Sequence, residues 1–220
     1  MHSDLSRKNM KVNKTENDAS EFLGTQNLGV VVYCASSPQI GQNYFEAAER
    51  LGQLFAEQGI AVINGAGKQG LMGALNDSTL AHGGTSIGVI PKFMVDAGWC
   101  HESLTRTIIT DTIHERKSLM AEISNAAIAL PGGIGTLEEL AEIITWKQLG
   151  LYNKPIFIIN INGYYDLLLR FLDKMMSEQF MNPDYRQMWK VASSPEEAIE
   201  SLKNFPVWNP SFTKYHKKEL

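Results

Sequence analysis

The residues Ala126-Ala127-Ile128-Ala129-Leu130 make an apolar run too short for a helix. The chain then passes through Pro131-Gly132-Gly133-Ile134-Gly135 into a segment with Leu137, Leu140, Ala141 and Ile144 at helical spacing. A buried strand, a glycine-rich turn and a helix in that order constrain the fold more than any other feature. Three glycines open backbone conformations closed to other residues and let a ligand approach the main chain. The unpaired N–H groups at the helix start, with the helix dipole, offer a seat for a phosphate. Thr136-x-x-Glu139 also has the form of a capping box, in which both side chains only tie off the helix end.

The same alternation recurs along the chain. Strands are expected at Leu28–Cys34, Ile60–Ile63, Ser86–Ile90, Leu104–Ile109, Ala126–Leu130 and Pro155–Asn160, with an edge strand at Met188–Ala192. Helices are expected at Tyr44–Gln58, Leu71–Ala81, Thr112–Ser124 and Tyr164–Phe180, and from the Ser194-Pro195 start to about Lys203. Lys92–Ser103, with Trp99, is less regular and reads as a loop near a site mouth. Strands alternating with helices imply the α/β class, a doubly wound and mainly parallel sheet with helices on both faces. Ligands of such sheets bind at the carboxyl ends of the strands, where the strand order reverses. Three turns fall at strand carboxyl ends: Ala35–Pro38, which includes Ser36, then Gly65–Gly70, and Gly132–Thr136.

Of the 220 residues, 44% are hydrophobic, enough for one sizeable core, expected over residues 27–207. Residues 1–26 and 208–220 carry no periodicity and read as disordered tails. A net charge of −4 argues against a broad nucleic-acid surface, though not against a local anion pocket. No apolar run approaches the roughly 20 residues of a membrane span. The N-terminus lacks the apolar core of a secretory signal, so a cytoplasmic location is expected. Cys34 and Cys100 are too few for a disulfide framework, and no His/Cys/carboxylate cluster has metal-ligand spacing. No metal and no cofactor are expected.

On the helix from Thr112, the residues Ile113, Leu119, Met120 and Ile123 share an apolar face, with Arg116 in its middle and Lys117 at its border. Either the two cations snorkel outward, or Arg116 forms a structural ion pair, or a cation is held under the sheet edge facing an anion or a carboxylate. Glu139 is the complement. It borders the apolar face of its own helix, near Ile143 and Trp146, whereas Glu138 and Glu142 lie on the polar side. His114 is either a base or a helix-surface histidine, His82 reads as a helix-terminal cation and Cys34 as a buried inert thiol. Tyr164-Tyr165 reads as a helix start packed on the sheet. Lys68 and Gln69 stand where a ligand would touch them or where a solvated loop would leave them.

Pro131-Gly132-Gly133-x-Gly135-Thr136-x-x-Glu139, preceded by His114-Glu115-Arg116-Lys117, resembles the paired signature of the Lonely Guy family, the cytokinin riboside 5′-monophosphate phosphoribohydrolases. Gly70-Leu71-Met72-Gly73, Ile87-Gly88-Val89-Ile90-Pro91, Thr145-Trp146-x-Gln148-Leu149-Gly150 and Asn162-Gly163-Tyr164-Tyr165 also match, so the resemblance spans Leu28 to Lys203. Asn64-Gly65-Ala66-Gly67 departs from the Tyr-Gly-Gly-Gly of many members, and the long N-terminal stretch is a second departure.

The resemblance implies a Rossmann-like catalytic domain, a homodimer or larger assembly, and a nucleoside 5′-monophosphate substrate with an adenine or cytokinin-type base. The implied reaction hydrolyses the N-glycosidic bond, giving free base and ribose 5-phosphate. It implies Arg116, Glu139, Lys117 and Glu138 as the catalytic group. Gly132, Gly133, Gly135 and Thr136 would hold the phosphate, with Ser36, Gly65, Gly67 and Met72 around the nucleotide. Members are often described as lysine decarboxylases, but pyridoxal phosphate chemistry needs a Schiff-base lysine and a partner for the ring nitrogen. No such constellation is visible. The alternative is a nucleotide- or molybdenum-cofactor-binding carrier on the same scaffold, with no hydrolysis.

Overall fold

The structure, a computed structural model, describes residues 9–11, 23 and 28–204. One sheet contains β1 (Asn9–Lys11), β2 (Gly29–Tyr33), β3 (Ala61–Asn64), β4 (Ser86–Pro91), β5 (Arg106–Thr110), β6 (Ala126–Ala129), β7 (Ile156–Ile159) and β8 (Lys190–Ala192). Its order is β1-β5-β4-β3-β2-β6-β7-β8, and every neighbouring pair is parallel. From β2 the chain winds outward through β3, β4 and β5, then returns to lay β6 on the other side of β2. The carboxyl ends of β2 and β6 therefore flank the point of reversal, where a doubly wound sheet leaves a crevice.

Period-two alternation splits the core into two layers. On β2, Val31 and Tyr33 enter one layer, and Val30 and Val32 the other. The first layer is closed by α4 (Ile113–Ile123) and α5 (Ile134–Gln148), through Leu119, Met120, Ile123, Leu140 and Ile143. The second is closed by α1 (Gln42–Glu57), α2 (Gly70–Ala81) and α7 (Pro195–Lys203), through Leu51, Phe55, Leu71, Leu75 and Ile199. The α/β, Rossmann-like architecture is the one expected.

Several local features differ from expectation. A short helix, α3 (Lys92–Asp96), occupies part of the segment expected to be a loop. β5 begins at Arg106, while Leu104 is buried against Ala66 and Ile90 before the strand starts. Asn162 (φ 51) and Gly163 (φ 71) are both left-handed, which ends a short 3-10 turn and delays α6 (Asp166–Ser177) past Tyr164. The reading of the sequence placed no element before Leu28, yet Asn9–Lys11 pairs with Thr107–Ile109 along the β5 edge and Leu23 is buried in the first core layer. The remainder of the two expected tails lies outside the described residues. Among the described residues no helix is long and apolar enough to cross a membrane.

Candidate active site

The three turns expected to converge are bonded to one another. The Ala35 N–H donates to Pro131 O (3.2 Å), and the Met72 N–H donates to Ala35 O (3.2 Å). Gly70, with φ +62, lies so close to the Ala35–Ser37 backbone that a Cβ there would sit 2.6–2.7 Å from main-chain atoms. Only glycine allows that approach. Between the turns opens a crevice of about 670 Å³, within the usual size of a small-molecule site. Ser36, Gly65, Gly67, Met72, Gly133, Gly135, Thr136, Arg116 and Glu139 all line it. Lys68, Gln69, Met94, Trp99 and the largely exposed Ile134 complete its rim.

The two glycine-rich turns are not equivalent. After Gly65 three successive backbone donors are already used. Ala66 N–H donates to Asn64 Oδ1 (2.8 Å), Gly67 N–H to Met72 Sδ (2.9 Å) and Lys68 N–H to Trp99 O (3.2 Å). Behind this turn Asn64, Asn76 and Ser86 form a buried polar network: the Asn64 Nδ2 (2.5 Å) and Ser86 Oγ (2.7 Å) both donate to Asn76 Oδ1. Ala66 is left-handed (φ 61), and Gly88 makes room for it, since a Cβ on Gly88 would lie 2.5 Å from the Ala66 Cβ. The turn is thus a shaped wall. The left-handed Ala66 is accommodated at the cost of local backbone strain.

At Gly132–Thr136 the donors have no acceptor among the described residues. Gly133 is the N-cap of α5 and has no side-chain cap, and the first N–H to find a helical acceptor is that of Leu137, bonded to Gly133 O (3.0 Å). The first-turn N–H groups of Ile134, Gly135 and Thr136 have no intrahelical carbonyl to meet. Gly132 is not itself on the crevice wall. It underlies the Thr136 side chain, whose Oγ1 would be 2.1 Å from a Cβ at that position. The turn after β6 is therefore the one that leaves a helix start open to the crevice.

The capping-box reading of Thr136 and Glu139 is corrected by the same geometry. Thr136 lies inside α5, and the Glu139 carboxylate accepts from Arg116 Nη2 instead. The capping pair of this site is on α4, where Thr112 Oγ1 accepts from Glu115 N–H (3.1 Å) and Glu115 Oε2 accepts from Asp111 N–H (3.0 Å). Arg116 and Glu139 are both nearly buried, with side-chain exposures of 13% and 11%. Burial pushes the Glu139 carboxyl above its ordinary range against the opposing pull of Arg116. The buried Arg116 Nε–H has no acceptor among the described residues.

Lys117 and Glu138 are placed differently from Arg116 and Glu139. The Lys117 Nζ bonds Glu138 Oε1 (2.5 Å) and Glu142 Oε1 (3.1 Å), and neither Lys117 nor Glu138 lines the crevice. Burial works against the Lys117 charge, but its two carboxylate partners outweigh that and raise its pKa. This trio braces α4 against α5 beside the Arg116–Glu139 pair. His114 is exposed and off the crevice. Cys34 lines the crevice, but burial holds its thiol far above the usual range, which leaves it inert.

Sequence reasoning did not assign Met94, although its Sδ lies 3.9 Å from Arg116 Nη1. Its segment is held at the mouth by the bridge between Gly67 and Cys100 and by the His101 N–H bond to Ala66 O (2.8 Å). A methionine in an irregular stretch carries no sequence signal for this placement.

The family described as "Possible lysine decarboxylase" matches residues 72–202. A cytokinin riboside 5′-monophosphate phosphoribohydrolase of Rhodococcoides fascians is 39% identical over 176 residues, 80% of this chain and 89% of the relative. One of Arabidopsis thaliana is 39% identical over 176 residues, 80% of this chain and 83% of the relative. Among solved structures, the molybdenum cofactor binding protein of Rippkaea orientalis superposes with a TM-score of 0.64 at 22% identity, over 82% of this chain and 98% of that one. At that identity the likeness speaks for the fold alone. The relatives at 39% identity carry more, and by them the chain belongs to the cytokinin riboside 5′-monophosphate phosphoribohydrolase, or Lonely Guy, family.

Proposed function

We propose that the protein hydrolyses the N-glycosidic bond of a nucleoside 5′-monophosphate with an adenine or cytokinin-type base. The observation that carries this reading is the nearly buried Arg116–Glu139 pair, set in one crevice with the open N–H groups that begin α5. The 5′-phosphate sits on the N–H groups of Gly133, Ile134, Gly135 and Thr136, where the helix dipole favours an anion. That anchor places the ribose beside Glu139. The carboxylate stabilises the cationic character that develops on the ribose as the bond to the base breaks. It also takes a proton from the water that attacks the anomeric carbon. The base leaves with the bonding electron pair and a proton, so the water is divided between ribose 5-phosphate and free base. Arg116 holds the carboxylate and offers its Nε–H to the bound nucleotide. Lys117, Glu138 and Glu142 keep α4 and α5 in register. Residues 27–207 form the catalytic unit, and no cofactor takes part.

A homodimer belongs to the same proposal. On α6, Leu167 and Phe171 are 74% and 53% exposed, and Ile134 at the start of α5 is 82% exposed. The Tyr164 hydroxyl bonds Gly132 O (2.7 Å), so these two helix starts are neighbours and the apolar surface is shared between them. A second copy is the partner that would cover it. A cytoplasmic location, suited to the unpaired thiols of Cys34 and Cys100, completes the reading.

The test is incubation with AMP and with adenosine, followed by chromatography for released adenine. Adenine from AMP, with adenosine a far poorer substrate, is expected, because the phosphate supplies remote binding energy that orients the ribose. Binding of AMP with no release of base would favour a carrier on the same scaffold. Equal kcat/KM for the two would remove the Gly132–Thr136 turn from the mechanism.

A further inference from the structure

Tyr164 and Tyr165 hold the phosphate turn from behind with two hydroxyls of different consequence. The Tyr164 hydroxyl donates to Gly132 O and the Tyr165 hydroxyl to Leu130 O, each at 2.7 Å. The peptide joining Gly132 to Gly133 is trans, so its C=O and N–H point in opposite directions. Gly133 lines the crevice and Tyr164 does not. A hydroxyl that pins the Gly132 carbonyl on the far side therefore aims the Gly133 N–H toward the ligand. It also polarises the peptide, which makes that N–H a better donor. The peptide following Leu130 is the internal contrast, because its nitrogen belongs to Pro131 and carries no hydrogen. Tyr165 thus fastens the turn without aiming any donor.

We propose that Tyr164 is a positioning residue of the phosphate seat, acting through the Gly132–Gly133 peptide, while Tyr165 serves the fold. The proposal rests on the reading of the crevice as a nucleoside monophosphate site. A peptide between two glycines has little steric resistance to rotating out of place, and the open Gly133 N–H has no acceptor among the described residues to hold it there. The chain builds the restraint with care. Left-handed Asn162 and Gly163 turn Tyr164 over the glycines ahead of α6, and the Tyr165 N–H donates to Asn160 Oδ1 (2.7 Å). Edge-to-face contacts seat the Tyr164 ring between Tyr44 (5.8 Å) and Tyr165 (5.0 Å). Removal of the hydroxyl alone leaves those ring contacts in place.

The experiment is calorimetric titration of Tyr164→Phe, Tyr165→Phe and the parent with AMP, ribose 5-phosphate and adenosine. Tyr164→Phe should weaken AMP and ribose 5-phosphate on the order of tenfold, the scale of one hydrogen bond, and change adenosine less than about twofold. Tyr165→Phe should lower the melting temperature and leave both phosphate affinities near the parent's. As a second measurement, the Gly133 amide resonance should shift on addition of ribose 5-phosphate in the parent and much less in Tyr164→Phe. Parental affinity of Tyr164→Phe for ribose 5-phosphate, an equal loss for adenosine, or a parent Gly133 amide that no phosphate moves would each overturn the assignment. Hydrolysis is a separate readout. A parent that binds AMP at Gly133 without releasing adenine keeps the Tyr164 role and sinks the enzymatic reading.

Discussion

Arg116 and Glu139 stand 23 positions apart in the chain, on two different helices, and meet as an ion pair that is almost closed to solvent. Arg116 stands within the apolar face of its helix, and Glu139 borders that of its own. The two departures answer one another, because the helices α4 and α5 lie side by side on the same layer of the sheet.

Glu139→Gln keeps the shape and an oxygen for Arg116 but removes the charge. Turnover of AMP should fall by about two orders of magnitude or more, the scale of losing one such group. The melting temperature should hardly move, since ionisation of a carboxyl whose pKa is raised by burial already opposes the folded state. Arg116→Ala should also abolish turnover, and the double variant should be little worse than either single one, because residues acting as a unit are not additive. Release of adenine by Glu139→Gln at the parent rate would falsify the catalytic role.

The acid side of the pH–rate profile follows from the same burial. Glu139 must be ionised to act, and burial sets its pKa above the ordinary 4.5. Activity should therefore decline as pH falls through a midpoint above that value, while the fold persists. A kcat that stays constant down to pH 4.5 would assign the carboxylate role elsewhere.

Gly65 is matched to Arg116. A Cβ at Gly65 would lie 3.3 Å from the Arg116 Cζ and Nη2, closer than side chains ordinarily settle. Gly65→Ala should push the guanidinium from its place and lower kcat by roughly tenfold, as a small misplacement of a catalytic group does. Affinity for ribose 5-phosphate should be retained, since the seat after β6 is untouched. A kcat equal to the parent's would show that Arg116 tolerates displacement.

The exposed apolar surface should be an interface between copies. Phe171→Glu places a charge on it without disturbing the core, where Leu168 and Leu172 of the same helix are half-buried. Sedimentation at micromolar concentration should find the parent at least dimeric and Phe171→Glu shifted toward monomer. A monomeric parent would leave this face without the partner proposed for it.

Much of the fold is legible in the residues themselves. The five-residue apolar runs, the glycine turns and the 3.6-residue stripes of Leu51 and Phe55 or Leu140 and Ile144 encode local structure, and local structure in that order admits few topologies. The motifs at Arg116–Lys117 and Gly132–Glu139 likewise identify the family from sequence. The short pairing of Asn9–Lys11 with β5 is not legible, because three polar and mixed residues carry no period and gain their structure only from an edge already present.

What tertiary structure alone decides is which backbone groups remain available and which charges meet. Gly65–Gly67 and Gly132–Gly135 look alike as text. In space, Asn64 and Met72 take the N–H groups of Ala66 and Gly67 and Trp99 takes that of Lys68, while the second turn keeps its own because an α-helix cannot satisfy its first N–H groups internally. Lys117 and Arg116 are adjacent in sequence, but about 100° of helical rotation sends one to Glu138 and Glu142 and the other to Glu139 in the crevice. Hydrogen-bond satisfaction and charge pairing depend on distances between segments far apart in the chain, and no local pattern of residues records those distances.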